Sequence, residues 1–308
     1  MNLYGVGGLT LACESPVPGL RPAASDHHVP PDIALRIERA PPPVADRFLF
    51  RWPGRYGLCL SQSGDGWLLT TARGSSYAVS PDGRTIAAFD NQAEADPEFL
   101  DVLVRRVLPR IGLLFGRVAF HGAALAKNDA AILLFGGSGA GKSTLAAALA
   151  GRFGWDLLSD DISLLHPEGG ATVAPAATGV CVWPDSRAAL DLPLERCRAL
   201  PAYGTKIWFD FAQESPRAEL PLRALAALDR SPDATEPELQ RLSPGEALVL
   251  AIHQLIQFNP GACAIGGLEP LVHRLRRTIA GLPAYRLVYP SDFSALPRVA
   301  ALLEEVIA

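Results

Sequence analysis

The sequence predicts an α/β fold with a mixed sheet, preceded by a small β-rich domain. Strand and helix signals alternate over residues 101–308, while residues 1–100 carry short β segments and little helix. A buried-strand pattern at Ala130–Phe135 leads through a glycine-rich loop into an Ala/Leu-rich helical stretch that ends at Phe153. Such alternation is typical of a layered α/β domain. We therefore expect two domains, a β-rich one over 1–100 and an α/β one over 101–308.

Composition excludes several classes of protein. The net charge of −4 over 308 residues does not favour a nucleic-acid binder held by bulk charge. The five cysteines are scattered without a CxxC pair, which is typical of reduced thiols in a cytoplasmic protein without a metal–thiolate site. No apolar run approaches the length of a membrane span, and we expect no signal peptide. The expected location is the cytoplasm, with neither nucleic acid nor membrane as a partner.

The first hundred residues divide into two parts. Residues 1–40 are rich in proline, and we expect them to be irregular. From about Ile33 to Ala88, short apolar runs alternate with turn residues such as Ser63–Gly66 and Pro81–Gly83. The predicted strands are Ile33–Ile37, Phe48–Trp52, Leu58–Leu60 and Trp67–Thr70. No residue of this part predicts catalysis.

A helix is predicted over Phe99–Phe115, where apolar residues recur at helical spacing. Pro109 is expected to kink or end part of it, because proline lacks the backbone N–H that the helix needs. Arg105, Arg106 and Arg110 are expected to form the solvated face of this helix, the alternative being that they line a nucleotide or partner groove.

The remaining elements follow from apolar runs and capping signals. The predicted strands are Val118–Phe120, Ala123–Leu125, Ala130–Phe135, Leu157–Leu158, Lys206–Phe209, Leu222–Leu228 and Tyr285–Tyr289. A helix is predicted from Ser243 to Phe258, because Ser243 and Glu246 form a capping-box pattern around Pro244. A last helix is predicted over Ala295–Ile307.

The strongest motif is G-x-x-x-x-G-K-[ST] at residues 136–144, the P-loop, between the predicted strand and helix. Its backbone N–H groups and the helix N-terminus suit the phosphates of ATP. Lys142 is expected to reach the β- and γ-phosphates, and the Ser143 hydroxyl to ligate Mg²⁺. The predicted nucleotide-binding residues of the loop are Gly136, Ser138, Gly139, Ala140, Gly141, Lys142, Ser143 and Thr144.

Two adjacent aspartates, Asp160 and Asp161, follow the predicted strand Leu157–Leu158, eighteen residues after Lys142. We expect that strand to lie beside the P-loop strand and to end at the same edge of the sheet, where open α/β sheets bind ligands. One carboxylate would ligate Mg²⁺ and the other would accept a proton from an attacking hydroxyl. The alternative is a turn or helix cap that uses aspartate.

Two further residues are candidates for the same site. His121 follows the strand Val118–Phe120 and would polarise an aspartate or orient the nucleophile; the alternative is a core histidine with satisfied ring nitrogens. Lys206 begins a predicted strand and would contact the phosphates and stabilise the transferred group; the alternative is a solvated lysine.

Taken in order, His121-Gly122, Gly136–Thr144 and Ser159-Asp160-Asp161 resemble the HPr kinase/phosphorylase family and its looser relatives over about residues 116–165. The resemblance implies a P-loop kinase core related to phosphoenolpyruvate carboxykinase. It implies that Asp160 is the base that deprotonates an acceptor serine, that Asp161 and Ser143 hold Mg²⁺, and that His121 supports the aspartate. It also makes a homo-oligomer an option.

The chain departs from that family's pattern after the aspartate pair. The family's second signature, Glu-[IL]-Arg-Gly, is absent from residues 174–185, which argues against HPr as the acceptor and against the reverse, phosphorolytic reaction. The Trp183-Pro184-Asp185 segment is similar to kinases found beside ribosomal-peptide gene clusters, some of which phosphorylate a serine at the end of a lasso-peptide precursor.

The leading functional hypothesis is an ATP-dependent kinase that modifies a serine of a peptide or small protein. A small-molecule kinase of the shikimate type remains an alternative, although such enzymes are smaller and lack an upstream β domain. A nucleotide-dependent sensor or binding module with little catalysis is the third. ATP is favoured over GTP because no N-K-x-D base-reading motif occurs.

Overall fold

A computed structural model describes residues 1–23, 30–54, 57–90, 97–167, 170–176, 178–200, 204–211, 219–260 and 268–308. Of the five cysteines, Cys263 lies outside these residues. The strands of the first part are β1 (Asn2–Val6), β2 (Leu9–Cys13), β3 (Arg21–Pro22), β4 (Ile33–Glu38), β5 (Arg47–Arg51), β6 (Cys59–Ser63), β7 (Gly66–Thr70), β8 (Ser76–Val79) and β9 (Thr85–Phe89).

The later strands are β10 (Val118–Phe120), β11 (Gly122–Lys127), β12 (Ala130–Phe135), β13 (Asp156–Ser159), β14 (Ser163–His166), β15 (Thr172–Val173), β16 (Gly179–Val182), β17 (Cys197–Ala199), β18 (Ile207–Asp210), β19 (Leu220–Arg230), β20 (Glu238–Arg241) and β21 (Ala284–Tyr289). The helices are α1 (Pro97–Val102), α2 (Leu108–Gly112), α3 (Lys142–Arg152), α4 (Pro184–Ala189), α5 (Pro244–Ile252), α6 (Leu268–Ile279) and α7 (Leu296–Glu305). Among the residues described, no helix has the length and apolar character needed to cross a membrane.

The first nine strands form one sheet within the described ranges, in the order β3-β1-β2-β4-β9-β8-β7-β6-β5. The expectation that residues 1–40 are irregular is wrong, because β1 and β2 form a hairpin with Val6 opposite Leu9. The two connecting residues, Gly7 and Gly8, have φ values of 56° and 81°. A tight two-residue hairpin favours glycine at such positions, so the Gly-Gly pair is what permits this turn.

The predicted helix over Phe99–Phe115 is divided into three parts. Between α1 and α2 the chain forms a π-helical segment, Leu103–Val107, which we call the π turn. Pro109 lies two residues after the end of the π turn and lacks the N–H that would bond to the Arg105 carbonyl, which accounts for a break in regular α-helical bonding here. This helix packs on the first sheet, since Leu103 and Leu108 share a hydrophobic cluster with Leu11 and Leu60. The boundary predicted between residues 100 and 101 falls inside α1 and stays a prediction.

The second sheet is mixed, as predicted for this α/β fold. In the part of the chain that the structure describes, it runs β10-β14-β15-β19-β12-β11-β13, and β21 pairs with β19 and β20. The P-loop strand β12 is parallel to β19, which is parallel to β21. The expectation that β13 lies beside β12 is wrong, because β11 lies between them and pairs antiparallel with both. Consequently β12 and β13 still run in the same direction and end at the same edge.

Helices cover both faces of this sheet. Ile132 and Leu134 of β12 pack with α3 and α7 on one face. Leu133 and Phe135 pack with α5 and α6 on the other face. The alternation follows from the period of two along a strand.

Helix α5 begins as predicted, with the Ser243–Glu246 capping box formed in both directions. It ends at Ile252 rather than Phe258. The chain leaves the helix there because the following residues bond to the strand end at β10, with the Ile256 N–H donating to the Ala119 carbonyl at 2.9 Å. The last helix, α7, covers most of the predicted range, and a short 3₁₀ turn at Phe293–Ala295 precedes it.

A small third sheet, in the order β16-β18-β17, lies close to the P-loop helix. It carries Cys181 on β16 and places Lys206 just before β18. Both residues reach the site described next.

Candidate functional site

The P-loop connects the buried strand β12 to α3 through glycines in left-handed conformations. Gly139 and Gly141 have φ values of 82° and 92°. A Cβ atom on Gly136 would lie 2.9 Å from the Leu228 carbonyl oxygen, and one on Gly141 would collide with the Tyr289 hydroxyl. These close approaches require glycine at both positions, and the loop borders an open cavity at the N-terminus of α3.

Lys142, the first residue of α3, is buried with its ammonium directed along the loop. Its Nζ donates to the carbonyl oxygens of Gly136 at 2.8 Å and Gly137 at 3.1 Å. Burial lowers its pKa, an effect that the charges of Asp161 and Asp160 oppose. The ammonium therefore lies at the loop as a cation held in place for an anionic ligand.

A cavity of about 370 Å³ opens at this loop. It is lined by most of the residues predicted from the sequence: His121, Ser138, Gly139, Gly141, Lys142, Ser143, Thr144, Asp161 and Lys206. Of the other predicted residues, Gly136 and Ala140 shape the loop behind this surface and Asp160 is buried behind Ser143. The P-loop, the histidine and the aspartate pair therefore meet at one edge of the sheet.

Asp160 is bound on both carboxylate oxygens. The Ser143 hydroxyl donates to Oδ1 at 2.8 Å, and the Cys181 backbone N–H donates to Oδ2 at 2.9 Å. Burial raises the pKa of Asp160, while the charge of Arg105 lowers it. Asp160 is thus joined to the P-loop serine, on the side where the phosphates would lie.

Asp161 faces the cavity and has a different environment. Arg105 Nη2 and Arg106 Nη1 each lie 3.3 Å from its Oδ2, and His121 Nε2 lies 3.3 Å from its Oδ1. Burial acts to raise the pKa of Asp161, but the two guanidiniums outweigh it and hold that pKa well below the usual range of an aspartate. The pKa values of the two neighbouring carboxylates are therefore shifted in opposite directions, and the two carboxylates face different groups.

The backbone at Asp161 is itself unusual. Its φ is 70°, and the Asp160 carbonyl accepts a bond from the Ile162 N–H at 2.9 Å, so the chain makes a three-residue turn. The Asp161 carbonyl also accepts from the Gly122 N–H at 3.1 Å, beside His121. A tight turn of this kind is uncommon and is found most often where surrounding contacts hold it in place.

The prediction that Arg105, Arg106 and Arg110 form a solvated face is wrong for this helix. Arg105 and Arg110 are each only 6 % exposed, and Arg106 pairs with Asp161. Glu98, Asp101 and Arg105 recur at helical spacing, as the charges of a surface helix do, so the sequence pattern gave no signal of their burial.

Tyr289 is a further residue that sequence reasoning missed, having been predicted only as the end of a strand. Its hydroxyl donates to the Ala140 carbonyl at 2.6 Å, and burial raises its pKa to about 12. It therefore holds the P-loop from the end of β21 as a neutral donor.

Lys206 lines the cavity, as predicted, and its Nζ lies 5.0 Å from the centre of the Trp183 ring. Trp183 is half exposed and precedes α4, whose Ser186 hydroxyl lies 3.0 Å from that of Thr144. The cation–π contact orders the Lys206 side chain, and Lys206 and Lys142 both line this cavity.

The oxygens of Ser143 and Asp160 are the hard donors that Mg²⁺ prefers. Within the described ranges, no three His, Cys, Asp or Glu side chains come together as a possible metal site. The donor set fits a cation that is shared with phosphate oxygens, rather than one enclosed by protein ligands.

Comparison with known proteins adds little. No family model matches the chain, and no curated protein does. Among solved structures, the chain is similar to the Hpr(Ser) kinase/phosphatase from Coxiella burnetii, with 13% sequence identity, a TM-score of 0.31, and coverage of 61% of this chain and 94% of that one. A likeness at this level carries no weight for function, which has to be inferred from the site.

Proposed function

We propose that this chain is an ATP-dependent cytoplasmic kinase that transfers the γ-phosphate to a serine hydroxyl of a peptide or small protein. One observation carries the proposal: the P-loop cavity has two adjacent aspartates with different partners, Asp160 bonded to the P-loop serine and Asp161 facing the cavity beside His121. Binding a nucleotide does not require the second carboxylate. Transfer to a hydroxyl does, because the nucleophile has to be oriented.

In this proposal, the phosphates of ATP are bound by the loop N–H groups, the α3 N-terminus, Lys142 and Lys206. These groups favour the charge that spreads over the γ-phosphate during transfer. Mg²⁺ would be held by Ser143 and Asp160, and it would neutralise part of the phosphate charge. This pairing differs from the role implied by the family resemblance, in which Asp161 is the metal ligand.

In this proposal, Asp161 and His121 lie where the acceptor serine binds. The carboxylate would accept the hydrogen bond of the serine hydroxyl and so direct the oxygen lone pair at the γ-phosphorus. The acceptor O–P bond forms as the bond to the ADP oxygen breaks. Because its pKa is low, Asp161 acts by orienting the hydroxyl more than as a strong base. In a loose transition state the hydroxyl loses its proton late, when the forming phosphoester has made it acidic enough to pass to the Asp161 carboxylate and from there to water, so orientation matters most.

The identity of the acceptor is the finer part of the proposal. A serine at the end of a lasso-peptide precursor is supported by the resemblance of Trp183-Pro184-Asp185 to kinases found beside ribosomal-peptide gene clusters. Trp183 and Asp185 both line the cavity, where they are available to an acceptor.

The test is a phosphotransfer assay with γ-labelled ATP, Mg²⁺ and serine-ended precursor peptides encoded beside the gene. Mass spectrometry should show the gain of one phosphate. Asp161→Asn should reduce turnover roughly 100-fold or more with ATP affinity retained, since general-base and orienting groups contribute about 10²–10⁴-fold. Asp160→Asn should weaken Mg²⁺-dependent ATP binding as well as turnover.

Three results would contradict parts of this proposal. ATP turnover without a modified peptide would favour a small-molecule kinase. Tight ATP binding without turnover, unchanged by either substitution, would favour a nucleotide-dependent sensor. Full activity of Asp161→Asn would remove its proposed role at the acceptor.

A further inference from the structure

The carboxylate of Asp161 is held by two arginines that are adjacent in sequence. Arg105 and Arg106 both approach the same oxygen, Oδ2, at 3.3 Å. Arg105 also lies 3.8 Å from Asp101 and stacks on the Trp208 ring at 5.3 Å, so its guanidinium is enclosed on several sides. Such a pair holds both the charge and the direction of the carboxylate.

The π turn explains how neighbouring residues reach one atom. In a regular α-helix, consecutive side chains diverge by about 100°, which follows from 3.6 residues per turn. Both arginines lie in the π turn, where the bonding pattern is i→i+5. Each turn then contains more residues, so consecutive side chains diverge by a smaller angle. Single π turns occur often at functional sites, and here the turn faces the strained aspartate.

A third arginine connects the π turn to the first sheet. Arg110 Nη1 donates to the Arg106 carbonyl at 2.7 Å. Its guanidinium lies 4.4 Å from the centre of the Trp52 ring, which follows the edge strand β5. Arg110 is buried, and burial together with the charge of Arg106 lowers its pKa to about 9. A buried cation on an aromatic face is a strong contact, so Trp52 and Arg106 are mechanically linked.

We propose that Arg105 and Arg106 are positioning residues for Asp161, and that Trp52, through Arg110, makes this positioning depend on the edge of the first sheet. The inference rests on the proposed function, because it assigns a purpose to the carboxylate that faces the acceptor. Neither arginine lines the P-loop cavity. Arg105 also lowers the pKa of Asp160, so the test uses Arg106, which pairs with Asp161.

The competing explanation is that the arginines only neutralise a buried carboxylate for the sake of folding. The two explanations differ in what a substitution changes. A purely structural role alters stability and leaves the turnover of folded protein intact. A positioning role lowers kcat while the KM and the dissociation constant for ATP stay the same.

The experiment compares Arg106→Met, Arg106→Lys and Trp52→Leu with the wild type, using Mg²⁺-ATP and the serine-ended peptides as probes. We expect kcat to fall roughly 10–100-fold in Arg106→Met, as for groups that support a reacting residue. Arg106→Lys should recover part of the loss. Trp52→Leu, which touches no reacting group, should lower kcat roughly threefold or more. ATP dissociation constants should not change.

The matched control is Arg84→Met. Arg84 also lies on an aromatic ring, that of Phe115 at 5.7 Å, but it pairs with Asp82 and does not contact Asp161. Its substitution should leave kcat unchanged. A kcat for Arg106→Met equal to that of the wild type, or an equal loss in Arg84→Met, would overturn the proposal.

A readout independent of catalysis separates this inference from the proposed function. Melting temperatures of Arg106→Met, Asp161→Asn and the double variant form a double-mutant cycle. A direct arginine–aspartate contact, which both explanations require, predicts that the double variant melts about 2–4 °C above the value expected from adding the single shifts, and kcat then decides between the two explanations. Additive shifts would overturn the positioning role even in an active enzyme. Coupled shifts in a chain without phosphotransfer would refute the kinase proposal while the arginine–aspartate link stands.

Discussion

Gly141 is the residue at which the P-loop becomes α3, and two constraints act on it at once. Its φ of 92° lies in the region that side chains with a Cβ avoid. The space where a Cβ would lie is taken by the Tyr289 hydroxyl, which is bonded to Ala140. A methyl group at position 141 therefore fits only if the Tyr289 hydroxyl moves and its hydrogen bond to the Ala140 carbonyl breaks.

We expect Gly141→Ala to weaken ATP binding roughly tenfold or more, because backbone strain of about 1–3 kcal/mol has to be relieved by moving the loop. Titration calorimetry with Mg²⁺-ATP measures the effect. Gly245→Ala is the control, since a Cβ there meets open space. Equal affinities of wild type and Gly141→Ala would show that the loop conformation is unimportant for ATP.

Removing the negative charge of Asp160 and removing that of Asp161 should change the stability of the fold in opposite directions. Burial raises the pKa of Asp160, so its ionised form is a cost to the folded state that grows as the pH rises above its unfolded value of about 3.9. The arginines hold the pKa of Asp161 low, so its charge stabilises the fold above that value, and the stabilisation is lost as the pH falls.

At pH 7, Asp161→Asn should therefore lower the free energy of unfolding by roughly 3 kcal/mol, as expected when one partner of a buried pair is removed. Asp160→Asn should leave that free energy unchanged or raise it. Denaturant unfolding at pH 7 and pH 3 measures both, and the deficit of Asp161→Asn should shrink at the lower pH, because the unfolded aspartate is mostly protonated below about 3.9. A larger loss for Asp160→Asn would contradict the assignment of charges.

At the scale of elements, sequence patterns located most strands and helices but not their exact ends. The strands around residues 33–38, 66–70, 118–135 and 220–230 lie near their predicted positions, because apolar period and turn residues define them locally. The hairpin at Gly7-Gly8 was hidden by the proline-rich composition around it. The early end of α5 was not predictable, since it depends on bonds to β10, distant in sequence.

The N-terminus of α5 offers a test of a locally encoded element. The Ser243 hydroxyl accepts from the Glu246 N–H, and the Glu246 carboxylate accepts from the Ser243 N–H at 2.9 Å. Ser243→Ala should cost about 1 kcal/mol of stability, a usual value for a lost N-cap. Thermal unfolding should show this shift with phosphotransfer unaffected, because Ser243 and Glu246 are not among the residues that line the P-loop cavity. A loss of activity in the folded variant would contradict that separation.

At the scale of the molecule, the site is formed by segments that are distant in sequence and that sequence patterns describe one at a time. The P-loop and the aspartate pair were predictable because each is a local motif in a recognisable context. The contributions of Arg105, Arg106 and Tyr289 were not, because they depend on how the first sheet, the π turn and β21 pack around the loop. The charged residues of the helix recur at the spacing of a surface helix, so the sequence alone indicates neither their burial nor their partner.

Residues before and after residue 100 share one hydrophobic core, in which α1, the π turn and α2 pack on the first sheet. We therefore expect these parts to unfold together. Leu103, Val107 and Leu108 are fully buried against the first sheet, and Phe99 stacks on Tyr77 at 5.5 Å. A chain starting at residue 101 would expose Leu103, Val107 and Leu108, each worth about 1.5–3 kcal/mol when buried, and would leave the π turn unsupported. We expect this 101–308 fragment to aggregate or to bind ATP without turnover, as judged by size-exclusion chromatography and phosphotransfer. Since the arginines that hold Asp161 lie within the fragment, a soluble fragment with full activity would show that the first sheet is not needed to hold them.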